Sequence, residues 1–105
     1  MKIVYNNIIP FKGFKAMNIL GLLFVRKKFK PIDKITLNHE GIHTAQMREL
    51  LYIFFYLFYG VEYLLKLFKY SPHKAYRNIS FEREAYSNEG DLTYLKGRKL
   101  FSQWR

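Results

Sequence analysis

The chain has 105 residues, no cysteine and a formal net charge of +10, with half its residues hydrophobic and 19% aromatic. That length fits one domain over residues 1–105, and the aromatic and aliphatic content argues against a disordered chain. Without cysteine there is no disulfide framework, thiolate metal site or thiol nucleophile, so a metal would have to be held by His and carboxylates. The basic excess favours anionic surfaces as partners.

Residues 2–9 carry Ile3, Val4, Tyr5, Ile8 and Ile9 in loose alternation and predict a strand ending at Pro10. Gly13 punctuates the loop that follows. Residues 17–25 are apolar and bounded by charge; they predict a second strand pairing with the first as a hairpin, with a short buried helix as the alternative. No small-residue cleavage site follows this run, which leads into Arg26-Lys27-Lys28, so the N-terminus does not read as a cleaved signal peptide. The expected compartment is cytoplasmic, with association with a membrane surface as the alternative.

Pro31 opens a new unit, and Asp33 or Thr36 can cap the helix that follows. That helix contains His39-Glu40-Gly41-Ile42-His43, the HExxH pattern. Residues four apart lie on one helix face, so His39 and His43 can grip one metal ion, and Glu40 beside them can act on a metal-activated water as general base. Only three histidines occur in the chain, and two of them are here. Gln46 shares their face and can hydrogen-bond a ligand. The helix is expected to run to about Tyr59, with Gly60 as a weak point. Its second half merges into an apolar stretch over residues 50–68, interrupted by Glu62 and Lys66 before it reaches the roughly 20 residues a membrane span needs. A core helix or a homo-oligomer interface is the favoured reading of this stretch, and contact with an anionic membrane surface the other.

Ser71-Pro72 ends that element, and residues 73–78 read as a loop containing the third histidine, His73, either exposed or an electrophile. A second helix is expected from an N-cap at Ser80 through Tyr94 or Leu95, with Glu82 and Glu84 in its first turn and Gly97 as C-terminal cap. The tail, residues 98–105, is basic. No repeat or linker appears. The cluster Arg26-Lys27-Lys28-x-Lys30 comes with no nucleic-acid motif, so no specific nucleic-acid partner is expected.

A hydrolytic zinc site needs a third protein ligand. Glu49 stands ten residues after His39, the metzincin distance, but Gln46 replaces the glycine that turns the metzincin chain back, and a continuous helix carries Glu49 off the metal face. The strings Asn38-His39-Glu40-x-Ile42-His43-Thr44-x-Gln46 and Phe81-Glu82-Arg83-Glu84-Ala85-Tyr86 together resemble gluzincin-type zinc metallopeptidases and a group of short bacterial HExxH proteins, over most of the chain from about Phe11 onward. The resemblance implies a zinc metallopeptidase with Zn²⁺ on His39, His43 and Glu82, and with Ala85 as the small residue that lets the second helix approach the first. Glu84 remains the alternative ligand; on a helix it lies about 200° from Glu82, which shares the Ala85 face. Where many gluzincins carry an Asp that orients the first zinc histidine, this chain has Tyr86, a phenol able to hydrogen-bond a histidine or, like Tyr76, to stabilise an oxyanion.

The expected architecture is therefore α+β and minimally zincin-like: two main helices carrying HExxH and the downstream glutamate, with a small N-terminal antiparallel β-hairpin. The expected activity is hydrolysis of a peptide or protein substrate, with Glu40 as base and Tyr86 as an auxiliary donor. Two rivals stand beside it: a non-catalytic protein in which zinc staples the two helices, and a cationic membrane-surface or interaction module in which the motif has no role.

Overall fold

The computed structural model describes residues 2–10 and 14–105, so Gly13 and its expected loop lie outside the described residues. The class is α+β, with a three-stranded sheet packed against helices. Strands β1 (Ile3–Asn6), β2 (Ala16–Ile19) and β3 (Leu22–Arg26) lie in the order β1-β3-β2.

The hairpin is not the one expected. It lies within residues 17–25, where β2 turns back antiparallel onto β3, and β1 joins the far side of β3 in parallel. Leu20 and Gly21 form the two-residue turn with φ of 53° and 88°, the positive pair that right-twisted hairpins require. The Asn18 side chain braces it by accepting the Gly21 N–H at 3.0 Å. The largely apolar pattern of this segment conceals the turn, because Asn18 and Gly21 sit apart rather than as an Asn-Gly pair. In β3 the alternation is clean: Leu23 and Val25 are fully buried and Leu22 is exposed.

Helix α1 (Lys34–Glu49) starts at Asp33, whose side chain accepts the Thr36 N–H at 2.9 Å. Asp33 is thus the cap, and it also pairs with Lys15 on the strand side. The helix does not continue to Tyr59. It ends at Glu49, and α2 (Ile53–Lys66) sets off in a new direction with Gly60 inside it. The break is made by non-glycine residues, Leu51 with φ of 54° and Tyr52 with φ of 62° and ψ of −55°. At Tyr52 the chain forms a tight γ-turn of the rare positive-φ kind, the Ile53 N–H donating to the Leu51 carbonyl at 2.6 Å. No sequence signal marks it, since neither residue is a turn former; it is held by packing. Phe55 and the half-buried Tyr59 lie on Phe81, and Met47, Leu50 and Ile79 complete the cluster.

Residues 73–77 are helical rather than a loop: Pro72 opens α3 (Pro72–Arg77) at the helix start, where its missing N–H does no harm. Helix α4 (Ser80–Asn88) follows, with Ile79 at the cap position instead of Ser80. The Ser80 N–H and hydroxyl are both taken by the Glu62 carboxylate of α2, at 2.9 and 2.6 Å. The expected extension to Tyr94 is cut at Asn88; a turn separates it from the short α5 (Tyr94–Gly97), and the chain ends in a 3₁₀ turn, Ser102–Trp104. Helix α4 packs on α1 through fully buried Phe81 and Ala85. Among the described residues no helix is long and apolar enough to cross a membrane.

A bulky residue held at positive φ costs on the order of 1–3 kcal/mol. Leu51 is 71% exposed, so little packing is lost with its side chain. Leu51→Gly is therefore expected to raise the melting temperature by about 4 °C or more, whereas Leu57→Gly, in the body of α2, lowers it. Thermal unfolding followed by circular dichroism checks both.

Candidate metal centre

Helix α1 projects His39 and His43 from one face, one turn apart, and α4 faces them with Glu82 in its first turn. The two Nε2 atoms are 3.1 Å apart, and Glu82 Oε1 lies 3.2 Å from that of His39 and 3.1 Å from that of His43. All three residues are buried, and they form a group that could hold a metal ion.

The hydrogen bonds behind the imidazoles fix what they present. His39 Nδ1 lies 2.7 Å from Glu89 Oε2, a pure acceptor, so Nδ1 carries the proton. His43 Nδ1 lies 2.8 Å from Gln46 Oε1. The Gln46 amide nitrogen already donates to the Phe81 carbonyl at 3.0 Å and to Glu84 Oε1 at 2.9 Å, so its oxygen is the end that faces His43 and accepts from it. In both neutral rings the Nε2 lone pair then points at Glu82 Oε1. Three acceptors this close repel one another unless a cation, proton or metal, sits among them, so the donor set fits a metal ion. Glu82 offers one oxygen only, because Oε2 accepts the Tyr59 hydroxyl at 2.7 Å.

Without a metal the cation is a proton. Burial disfavours a charged His43, but the hydrogen bond and charge of Glu82 outweigh it and push the imidazole up to about 9. Burial likewise opposes ionisation of Glu82, yet hydrogen bonds to His39 and His43 hold its carboxyl well below the usual carboxylate range. Tyr59 is pushed up by burial and by the Glu82 charge, and stays a neutral donor.

Glu40 is half-buried beside the two histidines and lines the same cleft of about 300 Å³, together with Ala16, Met17 and Asn18 of the edge strand β2, Phe55 and Tyr59 of α2, and Tyr76. Burial raises its carboxyl above the ordinary value, with His43 and His39 pulling the other way. Its backbone is pinned: the Glu40 carbonyl accepts from Asn18 Nδ2 at 2.9 Å and from the Thr44 hydroxyl at 3.1 Å.

The remaining sequence candidates separate by position. Tyr86 lies edge-on to the His39 ring, centroids 4.5 Å apart, under the Arg77 guanidinium, and its hydroxyl pairs with that of Tyr76 at 2.9 Å. Tyr76 lines the cleft with His39, His43 and Glu82, and both tyrosines line a second pocket with His39, Glu40 and Glu89. Gln46 touches His43 directly, as described. Glu84 points away from the centre, to Gln46, Tyr94 and Arg98, and does not join the metal group. Glu49 is engaged by Arg98 through two bonds of 2.9 and 3.0 Å. His73 is exposed on α3 with its ring 6.3 Å from that of Tyr76, outside the metal group.

The roles of Glu89, Asn38 and Tyr59 escaped the sequence reading. Glu89 takes the orienting role on His39; the signal was its place two turns after Glu82 on the same face. Asn38 holds it there, its amide donating to the carbonyls of Glu89 and Asp91, both at 2.9 Å. Tyr59 had no signal, because only the helix break brings it back over α4. Set against protein-family models, curated proteins and solved structures, the chain finds no match.

Two outcomes follow. Glu89→Gln, which keeps a neutral acceptor at a 29% exposed side chain, is expected to weaken Zn²⁺ binding by about 10- to 100-fold in competition with a chromophoric chelator. His43 has a folded value of about 9, above the ordinary 6.5, so its contribution to the metal-free fold is complete below 6.5 and is lost as pH rises through about 9. Metal-free protein is expected to melt progressively lower across that window while metal-loaded protein does not, and calorimetry at neutral pH in buffers of different ionisation enthalpy should register about one proton released per metal bound.

Proposed function

We propose that this chain is a zinc metallopeptidase with a minimal zincin-like site of the gluzincin kind. The observation that carries the proposal is the convergence of two Nδ1-pinned histidines and one monodentate carboxylate oxygen, with Glu40 beside them in an open cleft. Two imidazoles and a carboxylate are a donor set that suits Zn²⁺ and leave its fourth position for water or substrate.

His39 Nε2, His43 Nε2 and Glu82 Oε1 would hold the ion. When bound, zinc supplies a Lewis acid that acidifies water and polarises a carbonyl. Glu40 would accept a proton from the water attacking the peptide carbonyl, a step that its burial-raised affinity for protons favours, and then return it to the amide nitrogen as the C–N bond breaks. The Tyr76 hydroxyl, kept protonated by burial and paired with that of Tyr86, would donate to the developing oxyanion. The substrate would enter along β2. This strand is one of the two sheet edges, its residues Ala16, Met17 and Asn18 line the cleft, and an extended peptide can add to such an edge by backbone pairing.

Glu40→Gln tests the proposal. Cleavage of a peptide library by the zinc-loaded protein is expected to fall by about 10²- to 10⁴-fold, with zinc retained at one per chain. If wild-type protein cleaves nothing and zinc removal melts the fold, the same ligands only join α1 to α4 and the peptidase reading is wrong.

A further inference from the structure

Helix α2 is amphipathic in the opposite sense to a surface helix. Its hydrogen-bonding side chains reach inward, Tyr56 to the Leu20 N–H at 2.9 Å, Tyr59 to Glu82 at 2.7 Å and Glu62 to Ser80 at 2.9 Å. Its outward arc, about 140° wide at 100° per residue, carries apolar side chains throughout. Ile53 is 76% exposed, Leu57 53%, Leu64 61%, Leu65 61%, and Phe68, just past the helix end, 91%. Phe54 and Phe58 stack along one margin, and there Phe58 meets the half-exposed ring of Trp104 edge-on at 5.7 Å. A patch of this size, all on one helix, marks an interaction surface.

We infer that the outer face of α2 docks on an anionic lipid surface, with the helix lying in the plane of the interface. Two observations select this occupant over a second copy of the chain. First, residues 63–81, which continue from the patch through α3, contain Lys66, Lys69, Lys74 and Arg77 and no acidic residue, within a chain of net charge +10. Two copies meeting through α2 would bring like charges together, whereas anionic headgroups pair with them and lysine stems can lie along the apolar margin. Second, α2 has 14 residues, about 21 Å of helix, too short to span a bilayer and suited to the headgroup boundary. The inner side of this helix lines the metal-site cleft through Phe55 and Tyr59, so docking brings the cleft within about one helix diameter, ~10 Å, of the lipid. The inference does not depend on zinc or on peptidase activity.

Trp104 is the only tryptophan and borders the patch, so its fluorescence reports the contact directly. Full-length protein is mixed with phosphatidylcholine vesicles, alone or with about one-third phosphatidylglycerol, at about 0.1 M and about 0.5 M salt. Co-sedimentation and a blue shift of Trp104 are expected with the anionic vesicles at low salt, weakened at high salt and much smaller with neutral vesicles. Leu57→Glu/Leu64→Glu, at two exposed positions, is expected to weaken binding by at least about tenfold with an unchanged melting temperature. Should that variant misfold, Lys69→Glu/Lys74→Glu is expected to show the same loss from two exposed surface positions. The inference is overturned if wild-type protein binds no vesicles, if it binds both compositions equally, if neither variant weakens binding, or if ultracentrifugation shows a dimer that Leu57→Glu/Leu64→Glu dissociates while vesicle binding is absent.

Discussion

One carboxylate oxygen touching two imidazoles sets the terms for the rest of this molecule. Glu82 Oε1 reaches His39 and His43 at 3.2 and 3.1 Å only because α4 lies directly against α1, with Ala85 fully buried at the contact. A larger residue at that position would push the helices apart. A buried carboxylate facing two ring nitrogens is also an expensive arrangement unless a cation completes it. The fold therefore carries a demand for positive charge at a point deep between two helices, and the surrounding elements hold that point in place.

They do so from both ends of α4. At its start, the Glu62 carboxylate of α2 takes the Ser80 N–H and hydroxyl, compensating for a cap residue, Ile79, that has no side-chain acceptor. At its end, Asn38 of α1 binds the carbonyls beyond Asn88 and so steers Glu89 onto His39. Along its flank, Arg98 bridges Glu49 and Glu84, and Glu84 holds the Gln46 amide in the orientation that lets its oxygen face His43. Gln46 is thus a junction: one side chain reads the protonation of a histidine, the backbone of Phe81 and a buried ion pair. In such a network, losing one charged partner strands the other, so the C-terminal segment that supplies Arg98 contributes to the geometry of a site it never touches.

The local part of this design was legible in the sequence. The spacing of His39 and His43 follows from helical periodicity alone, the Asp33 cap is one of two choices the sequence offers, and the Ala85 face favours Glu82 over Glu84 without excluding the latter. The illegible part depends on long-range contacts. The Tyr52 γ-turn uses residues with no turn preference, so a continuous helix was the natural expectation. Once the chain is bent there, Tyr59 arrives over Glu82, an encounter that sequence spacing cannot anticipate. The sheet misled for a related reason: Leu20-Gly21 sits inside a largely apolar run, and only pairing on both sides of β3 shows that the run is two strands. Residues 73–77 and the stretch after Asn88 depart from their sequence patterns where α3 and the turn before α5 answer to tertiary packing rather than to propensity.

The same bend explains why the apolar stretch resisted a single reading. Viewed as sequence, residues 50–68 are hydrophobic all round, which suits either a core or a lipid contact. Folded, the helix divides its duties by angle. Phe55 is 3% exposed in the core and Tyr59 reaches the Glu82 carboxylate, while Leu57 and Leu64, 53% and 61% exposed, lie on the opposite side. That division is set by how far the chain rotates between Glu49 and Ile53, the segment held at positive φ. The Glu62–Ser80 and Tyr59–Glu82 hydrogen bonds tie α2 to α4 in the rotation that follows this bend. A different rotation would turn the apolar arc inward and leave Glu82 without its phenol. The exposed apolar face and the completed carboxylate are therefore two consequences of one backbone choice, and a surface that would otherwise count as a folding liability is coupled to the geometry of the site.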